Sequence, residues 1–246
     1  MPLTYSQQEW AQRLAYYLGG FESTGLWHRI FGLINIGCLV IYVALMLTRL
    51  LANRGNGGSL LNRIFGPDSP VPNFRDLTDF AKMVRWFVGR GPKPTFERWA
   101  YWEKVDMWGA CADIVIIGFT GLVLWLPNLF CSVLPGATLN IAKVIHSTQA
   151  LLATGFVFSI HFFSTHLRPD KFPLDMSILT GLVSKEDMEE ERPEYFERLQ
   201  REGKLDAMQA TVPSRGKLIM VALAGLLAFS IGLALLAGIL IAILGE

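Results

Sequence analysis

Val144-Ile-His146-Ser-Thr-Gln-Ala-Leu-Leu-Ala-Thr-Gly-Phe-Val-Phe-Ser-Ile-His161-Phe-Phe-Ser-Thr-His166 reads as a membrane-spanning helix that carries three histidines. The run suits a bilayer core of about 30 Å, yet nothing in a lipid-facing helix needs imidazole. His146 and His161 lie fifteen residues apart. In an α-helix that is about 22 Å of rise and about 60° of rotation. Both rings are therefore expected on nearly the same face, one in each leaflet. Neutral imidazole is the usual axial ligand of haem iron, and two haems stacked across a bilayer need ligands placed in this way.

The rest of the chain agrees with lipid. Hydrophobic residues make up 52% and charged residues 17% of 246. Four apolar segments are long enough to span, at residues 27–52, 106–126, 138–167 and 218–244. The expected fold is an all-α membrane protein, a four-transmembrane-helix bundle binding haem b. Residues 1–26 lack the basic start and apolar run of a cleavable signal. Residues 49–104 hold ten Lys/Arg and residues 168–217 hold nine, leaving Arg13, Arg29 and Lys143 on the other side. The positive-inside rule places loops 53–105 and 168–217 in the cytoplasm. The N-terminal segment 1–26 and the C-terminus are then extracytoplasmic, and the expected location is the cytoplasmic (inner) membrane, crossed several times.

Other chemistries find no support. Cys38, Cys111 and Cys131 form no C-x-x-C-H, which excludes covalent c-type haem attachment. Cys38 and Cys111 read as packing residues, and Cys131 as a buried free thiol or a bond to a partner. No zinc spacing, phosphate-binding glycine loop, nucleophile elbow or internal repeat stands out, and no nucleic-acid partner is expected. In the first loop, residues 76–88 space Leu77, Phe80, Ala81, Val84, Phe87 and Val88 as an amphipathic helix lying on the inner membrane surface. Trp86, Trp99, Tyr101, Trp102 and Trp108 form an interfacial belt. Residues 5–18 suggest an outer interfacial helix. Residues 186–201 read as a charged helix with no apolar stripe, solvated or docked on a partner. Ala224/Ala228, Ala228/Gly232 and Ala234/Gly238 repeat a small-x-x-x-small spacing that allows close helix contact.

His28 completes one pair. The first and third spans run in the same direction, so His28 and His146 share a side. On straight helices His28 stands about 10 Å nearer the surface, a gap that a helix tilt of about 20° can absorb. Gly32, Ala150 and Ala153 leave room for a flat macrocycle, and Arg29 and Lys143 lie where its propionates would point. His28 is otherwise an interfacial residue beside Trp27 and Arg29.

The inner site is less complete. His166 sits about 140° around the helix from His161, so the two cannot clamp one iron from opposite sides. His161 therefore takes a ligand from elsewhere, another residue type such as methionine, or no haem. His166, beside Arg168, is an interfacial residue, a propionate partner or a quinone contact. Asp113 is an ionisable residue inside the second span, where a charge costs about 2.5–3.5 kcal/mol on insertion scales. It reads either as a proton-relay group near His161 or as an acid held by Lys104 or by backbone.

Residues 26–183 resemble the b-type cytochrome subunits of formate dehydrogenases and nickel–iron hydrogenases, and look closest to relatives associated with multihaem c-type cytochromes. The resemblance rests on Trp27-His28-Arg29-Ile30, on Phe96-Glu97-Arg98-Trp99 through Trp108, on Leu122-Val-Leu-Trp125, on His146 through His166, and on Leu167-Arg-Pro-Asp-Lys-Phe-Pro-Leu-Asp175. It implies that His28 and His146 ligate an outer haem b and that His161 ligates an inner one, next to a quinone site on the cytoplasmic side. Family members usually carry the second inner-haem histidine on an earlier transmembrane helix. Here that ligand is expected from a partner chain's helix, or only the outer haem binds.

The expected function is that of a membrane cytochrome b subunit, the electron-transfer part of a quinone-linked oxidoreductase complex. It would pass electrons between the quinone pool and an extracytoplasmic redox partner, a multihaem cytochrome c or another metalloprotein. His166, Asp113 and Arg168 are the residues proposed for quinone or proton handling. The competing expectation is a non-redox membrane anchor. A proton or ion carrier is a weaker third, since no inverted repeat or broken pair of spans is present.

Overall fold

The computed structural model describes residues 7, 9–52, 59–167, 172 and 174–244, and among them there is no strand. Four helical segments are long and apolar enough to cross a membrane: Phe21–Arg49, Tyr101–Trp125, Ala137–Leu167 and Arg215–Gly238. The number and order agree with the sequence reading. The elements are α1 (Glu9–Tyr17), α2 (Phe21–Ala52), α3 (Leu60–Phe65), α4 (Phe74–Phe87), α5 (Tyr101–Trp125), α6 (Pro127–Cys131) and α7 (Ala137–Phe156). After two π-helical stretches, α8 (Ser177–Thr180), α9 (Lys185–Glu191), α10 (Pro193–Arg201) and α11 (Arg215–Leu244) follow. The π-helical stretches, Val157–His161 and Phe163–Leu167, end the third span. Their wider turns advance fewer degrees per residue, so a rotation counted at about 100° per residue does not hold beyond Phe156.

The chain divides into two compact units. The first draws on Met1–Leu51, Gly109–Ser159 and Leu236–Glu246. Two successive glycines, Gly19 (φ 87°) and Gly20 (φ 95°), end α1 in the left-handed region that they enter without a Cβ penalty. Ala11 and Ala15, one turn apart, bury a small-residue face of α1, which therefore packs against its unit; residues 5, 6 and 8 of the helix expected over 5–18 lie outside the described residues. Leu33, Ile34, Val40, Ile41 and Leu45 of α2 are exposed on several sides. So much continuous apolar surface is incompatible with water and suits hydrocarbon. Cys38 and Cys131 are exposed and Cys111 is half-buried, all as free thiols. Cys131 is therefore not the buried residue expected.

The second unit draws on Ala52–Trp108 and Ile160–Leu235. Its helix starts are written in polar side chains. Asn73 and Asp76 form a reciprocal capping box on α4. Glu103 reaches back to the Ala100 backbone N–H at 2.8 Å to start α5, and Ser184 accepts from Asp187 N–H to start α9. Ion pairs then tie the two long loops together. Arg198 donates to both Asp68 oxygens, at 2.7 and 3.2 Å, and to Glu97 at 3.1 Å. Arg192 meets Glu103 at 2.6 Å. Arg75 pairs with Glu194, which also accepts from Thr95 at 2.6 Å. Two belt tryptophans, Trp99 and Trp108, donate to the carbonyls of Asp68 and Pro70.

This network corrects the reading of residues 186–201. Pro193 splits the segment into α9 and α10, and Tyr195, Phe196 and Leu199 are buried. An apolar stripe exists and is buried, with Lys185 over the Phe196 ring and the Tyr195 hydroxyl reaching Met208 Sδ.

Acid should loosen this clamp. Partial burial pushes the Glu194 carboxyl up, but the Thr95 hydroxyl and Arg75 pull harder, and the net shift is downward. A depressed folded-state pKa adds stability above the unfolded value and loses it as pH falls through the folded one. The loop unit is expected to weaken below about pH 4.3, and Glu194→Gln to flatten that loss. Tryptophan fluorescence against pH measures both. An acid transition identical in the variant would remove Glu194 from the account.

Within this chain the fourth span packs through only part of the expected small-residue stripe, at Gly232. Val221, Gly225 and Gly232 are buried and Phe229 is half-buried, whereas Ala224 and Ala228 are exposed. A methyl group at Gly232 would overlap the Phe162 ring, and one at Gly225 would overlap Leu174. Phe162 is stacked on Phe229 at 5.8 Å and touches His166 at 4.9 Å, so it has little freedom to move aside. Gly232→Ala should therefore cost about 1–3 kcal/mol. Thermal unfolding in detergent, with Ala228→Gly as the exposed control, would detect it; equal midpoints would refute the assignment.

Candidate functional site

In the first unit, α2, α5 and α7 bring His28 and His146 together. Their ring centroids are 6.0 Å apart and their planes are at 89°. Imidazole–metal bonds run about 2.0–2.1 Å, and the ligating nitrogen sits about 1.1 Å from the ring centre. Two rings on opposite sides of one metal thus have centroids about 6.3 Å apart. The separation fits a shared metal.

The His146 ring is fixed by hydrogen bonds. Its Nδ1 lies 3.0 Å from the Ile117 carbonyl oxygen and 3.1 Å from the Thr120 hydroxyl. A carbonyl only accepts, so in the neutral ring Nδ1 carries the proton and Nε2 keeps its lone pair. Ligating histidines characteristically donate their second nitrogen to a carbonyl or carboxylate in this manner. Thr120 is fixed in turn, donating to Ile116 at 2.7 Å. Gly121 provides the space: a Cβ there would stand 3.1 Å from His146 Cε1. Gly118 likewise allows Ile36 of α2 to approach, since a Cβ would stand 3.1 Å from its side chain.

The two histidines line a partly open cleft of about 270 Å³, just under the range of about 300–1,000 Å³ usual for small-molecule sites. Its walls are mainly apolar and include Gly32, Ile36, Ile114, Leu122 and Trp125. Arg29 lines it as well, donating from Nε to the Gly25 carbonyl at 3.1 Å, with its guanidinium 5.7 Å from the Trp125 ring centre. Lys143, paired with Arg29 in the sequence reading, is exposed and is not among the lining residues. The mainly apolar lining, two imidazoles and one cation are a donor set that could hold a metal-bearing apolar cofactor.

The remaining histidines stand in the second unit. His161 Nδ1 lies 3.2 Å from Asp106 Oδ2, and both side chains are partly exposed. His166 is buried, its ring 4.9 Å from Phe162 and 5.6 Å from Phe229, so it is not a snorkelling interfacial residue. Asp113 belongs to the first unit and accepts from the Gln149 amide at 2.7 Å. Neither Lys104, which pairs with Asp76, nor a lone backbone group is needed to hold it. Arg168 lies outside the described residues.

Sequence reasoning missed Thr120, Gly121, Asp106 and Gln149. The Gly118/Gly121 pair in an apolar span was the available signal for the first two. Asp106 was taken as a span boundary. The structure thus defines an all-helical, multi-pass membrane protein with a two-histidine cleft among three of its spans. Comparison with protein-family models, curated proteins and solved structures found no match.

Proposed function

We propose that this chain is a membrane cytochrome b subunit that connects the quinone pool with an extracytoplasmic redox partner, a multihaem cytochrome c or another metalloprotein. One observation carries the reading: His28 and His146 face each other at the spacing of a bis-imidazole metal site, with His146 already fixed through Nδ1. When bound, haem b supplies a one-electron iron couple. His28 and His146 would hold it through their imidazole nitrogens. Ile117 and Thr120 hold the His146 ring and raise its basicity. Arg29 offers a cation for a propionate, and Ile36, Ile114 and Leu122 exclude water and keep the local dielectric low.

His161 is proposed as the ligand of an inner haem completed by a partner chain's helix. Asp106 orients its ring and can exchange a proton with it. That pair, rather than Asp113, is the better proton route, because the Asp113 carboxylate is already engaged by Gln149. His166, with Phe162 and Phe229, is proposed as an aromatic-walled quinone contact. The orientation with both long loops in the cytoplasm belongs to the same proposal.

The test is a pyridine haemochrome assay on the purified native complex, counting haem b per copy of this chain. One or two haems support the reading, and two would send the search to the partner for the ligand opposite His161. None would overturn it and leave a membrane anchor.

A further inference from the structure

The sequence marks 76–88 as amphipathic, but only the structure reveals which face the protein covers. Around α4, Phe87, Phe80, Val84, Leu77, Ala81 and Phe74 follow one another in an arc of about 140° at 100° per residue. All six are exposed, with Phe74 at 88%, Leu77 at 66% and Phe87 at 80% of full accessibility. The opposite face holds Asp79, exposed by 3%. The helix is therefore packed inside out for a soluble protein, with charge inside and its aromatic and aliphatic side chains outside.

The buried charge is fully occupied. Asp79 pairs with Arg75 at 3.3 Å and Lys82 at 3.1 Å. Asp76 meets Lys104 at 2.9 Å while its other oxygen accepts from Asn73 N–H at 2.6 Å. Lys104 sits in the first turn of a membrane span, and Phe80 meets Tyr101, the first residue of that span, edge to face at 5.5 Å. These contacts anchor α4 to the first turn of that span. The one apolar medium at that level is the bilayer itself, continuous with the surface already wetting the span.

We infer that α4 lies in the plane of the membrane, with Phe74, Leu77, Phe80, Val84 and Phe87 inserted at the boundary between headgroups and acyl chains. Arg85, exposed at the edge of the stripe, stands at headgroup level, where a cation favours anionic lipid. The ion pairs then act as a hinge pin that sets the depth of the helix, because a rigid attachment to the span fixes how far the stripe can sink. The inference is independent of haem and stands or falls separately from the cytochrome reading.

Site-directed spin labelling of the intact protein tests it. In a Cys38→Ala, Cys111→Ala, Cys131→Ala background, nitroxides are placed singly at Leu77→Cys, Val84→Cys and Thr78→Cys. The protein is reconstituted in phosphatidylcholine vesicles with and without phosphatidylglycerol. These positions are exposed, so the labels displace no packed side chain. Labels at 77 and 84 should collide with oxygen several-fold more, relative to a water-soluble nickel chelate, than the label at 78, which lies 100° around the helix. Equal and high nickel accessibility at all three would mean a solvated stripe and overturn the inference. Immobile labels at 77 and 84 that are shielded from both reagents would mean a protein partner on that face, and would overturn it equally.

Discussion

His146→Ala is expected to abolish the haem bound at the paired-histidine cleft, with His28→Ala producing the same loss. The two rings stand 6.0 Å apart between centroids, and on the proposed reading both would hold the haem, so removing either would leave it half held. His146 is the more damaging loss. It is the half-buried member, held by Ile117 and Thr120, and thus the preorganised half of the site. The readout is the reduced-minus-oxidised spectrum with haem counted per chain. Imidazole added to His146→Ala should restore part of the low-spin signal, since the truncated side chain leaves a space of its own shape. Thr120→Val gives the graded companion. The Ile117 carbonyl still accepts from Nδ1, so haem stays, while loss of the second contact should weaken binding about 10-fold or shift the midpoint potential. A bis-histidine spectrum persisting in His146→Ala would rule out the assigned ligand.

Lys104→Met should be the most destabilising change outside the cleft. Lys104 and Asp76 contact each other at 2.9 Å with side chains only 6% and 15% exposed. Removing one member of a buried pair strands the other, at about 3–5 kcal/mol. Asp76 also closes the cap of α4, so it cannot swing away to water without releasing the Asn73 N–H. At 1.4 kcal/mol per factor of ten, the opened population of the segment 59–104 should rise on the order of 100-fold or more. Limited proteolysis of the protein in vesicles reads that population directly. Lys104→Met combined with Asp76→Leu should cost less than the sum of the single changes, because it leaves no orphaned charge. Additive costs would mean that the two side chains are not coupled.

The spans were legible because a run of apolar side chains has few fates other than hydrocarbon, and the loops because cations concentrate beside them. The partnership of His28 with His146 was legible too, although their counted depths disagreed by about 10 Å. That gap came from starting the first span at Trp27. The helix begins at Phe21, six residues sooner, which moves His28 about 9 Å deeper into the helix. Lys143 was a poorer inference, since proximity along the chain said nothing of which side of α7 faces the cleft. Asp106 was overlooked because a carboxylate at the edge of a span is unremarkable until an imidazole stands 3.2 Å away. The same holds for α10, whose apolar residues are few and whose burial depends on neighbours that a local pattern does not reveal.

Sequence alone determined the all-helical class and the four spans, because both follow from local hydropathy and its periodicity. Tertiary structure alone decided the rest: that Ile117 and Thr120 hold His146, that Gly225 and Gly232 rather than the alanines form the packed face, and that α4 turns its aromatic side outward. Each depends on which residues distant along the chain arrive at the same point in space. A periodicity can mark a face, but only the neighbour packed against it settles whether that face is core, site or membrane contact.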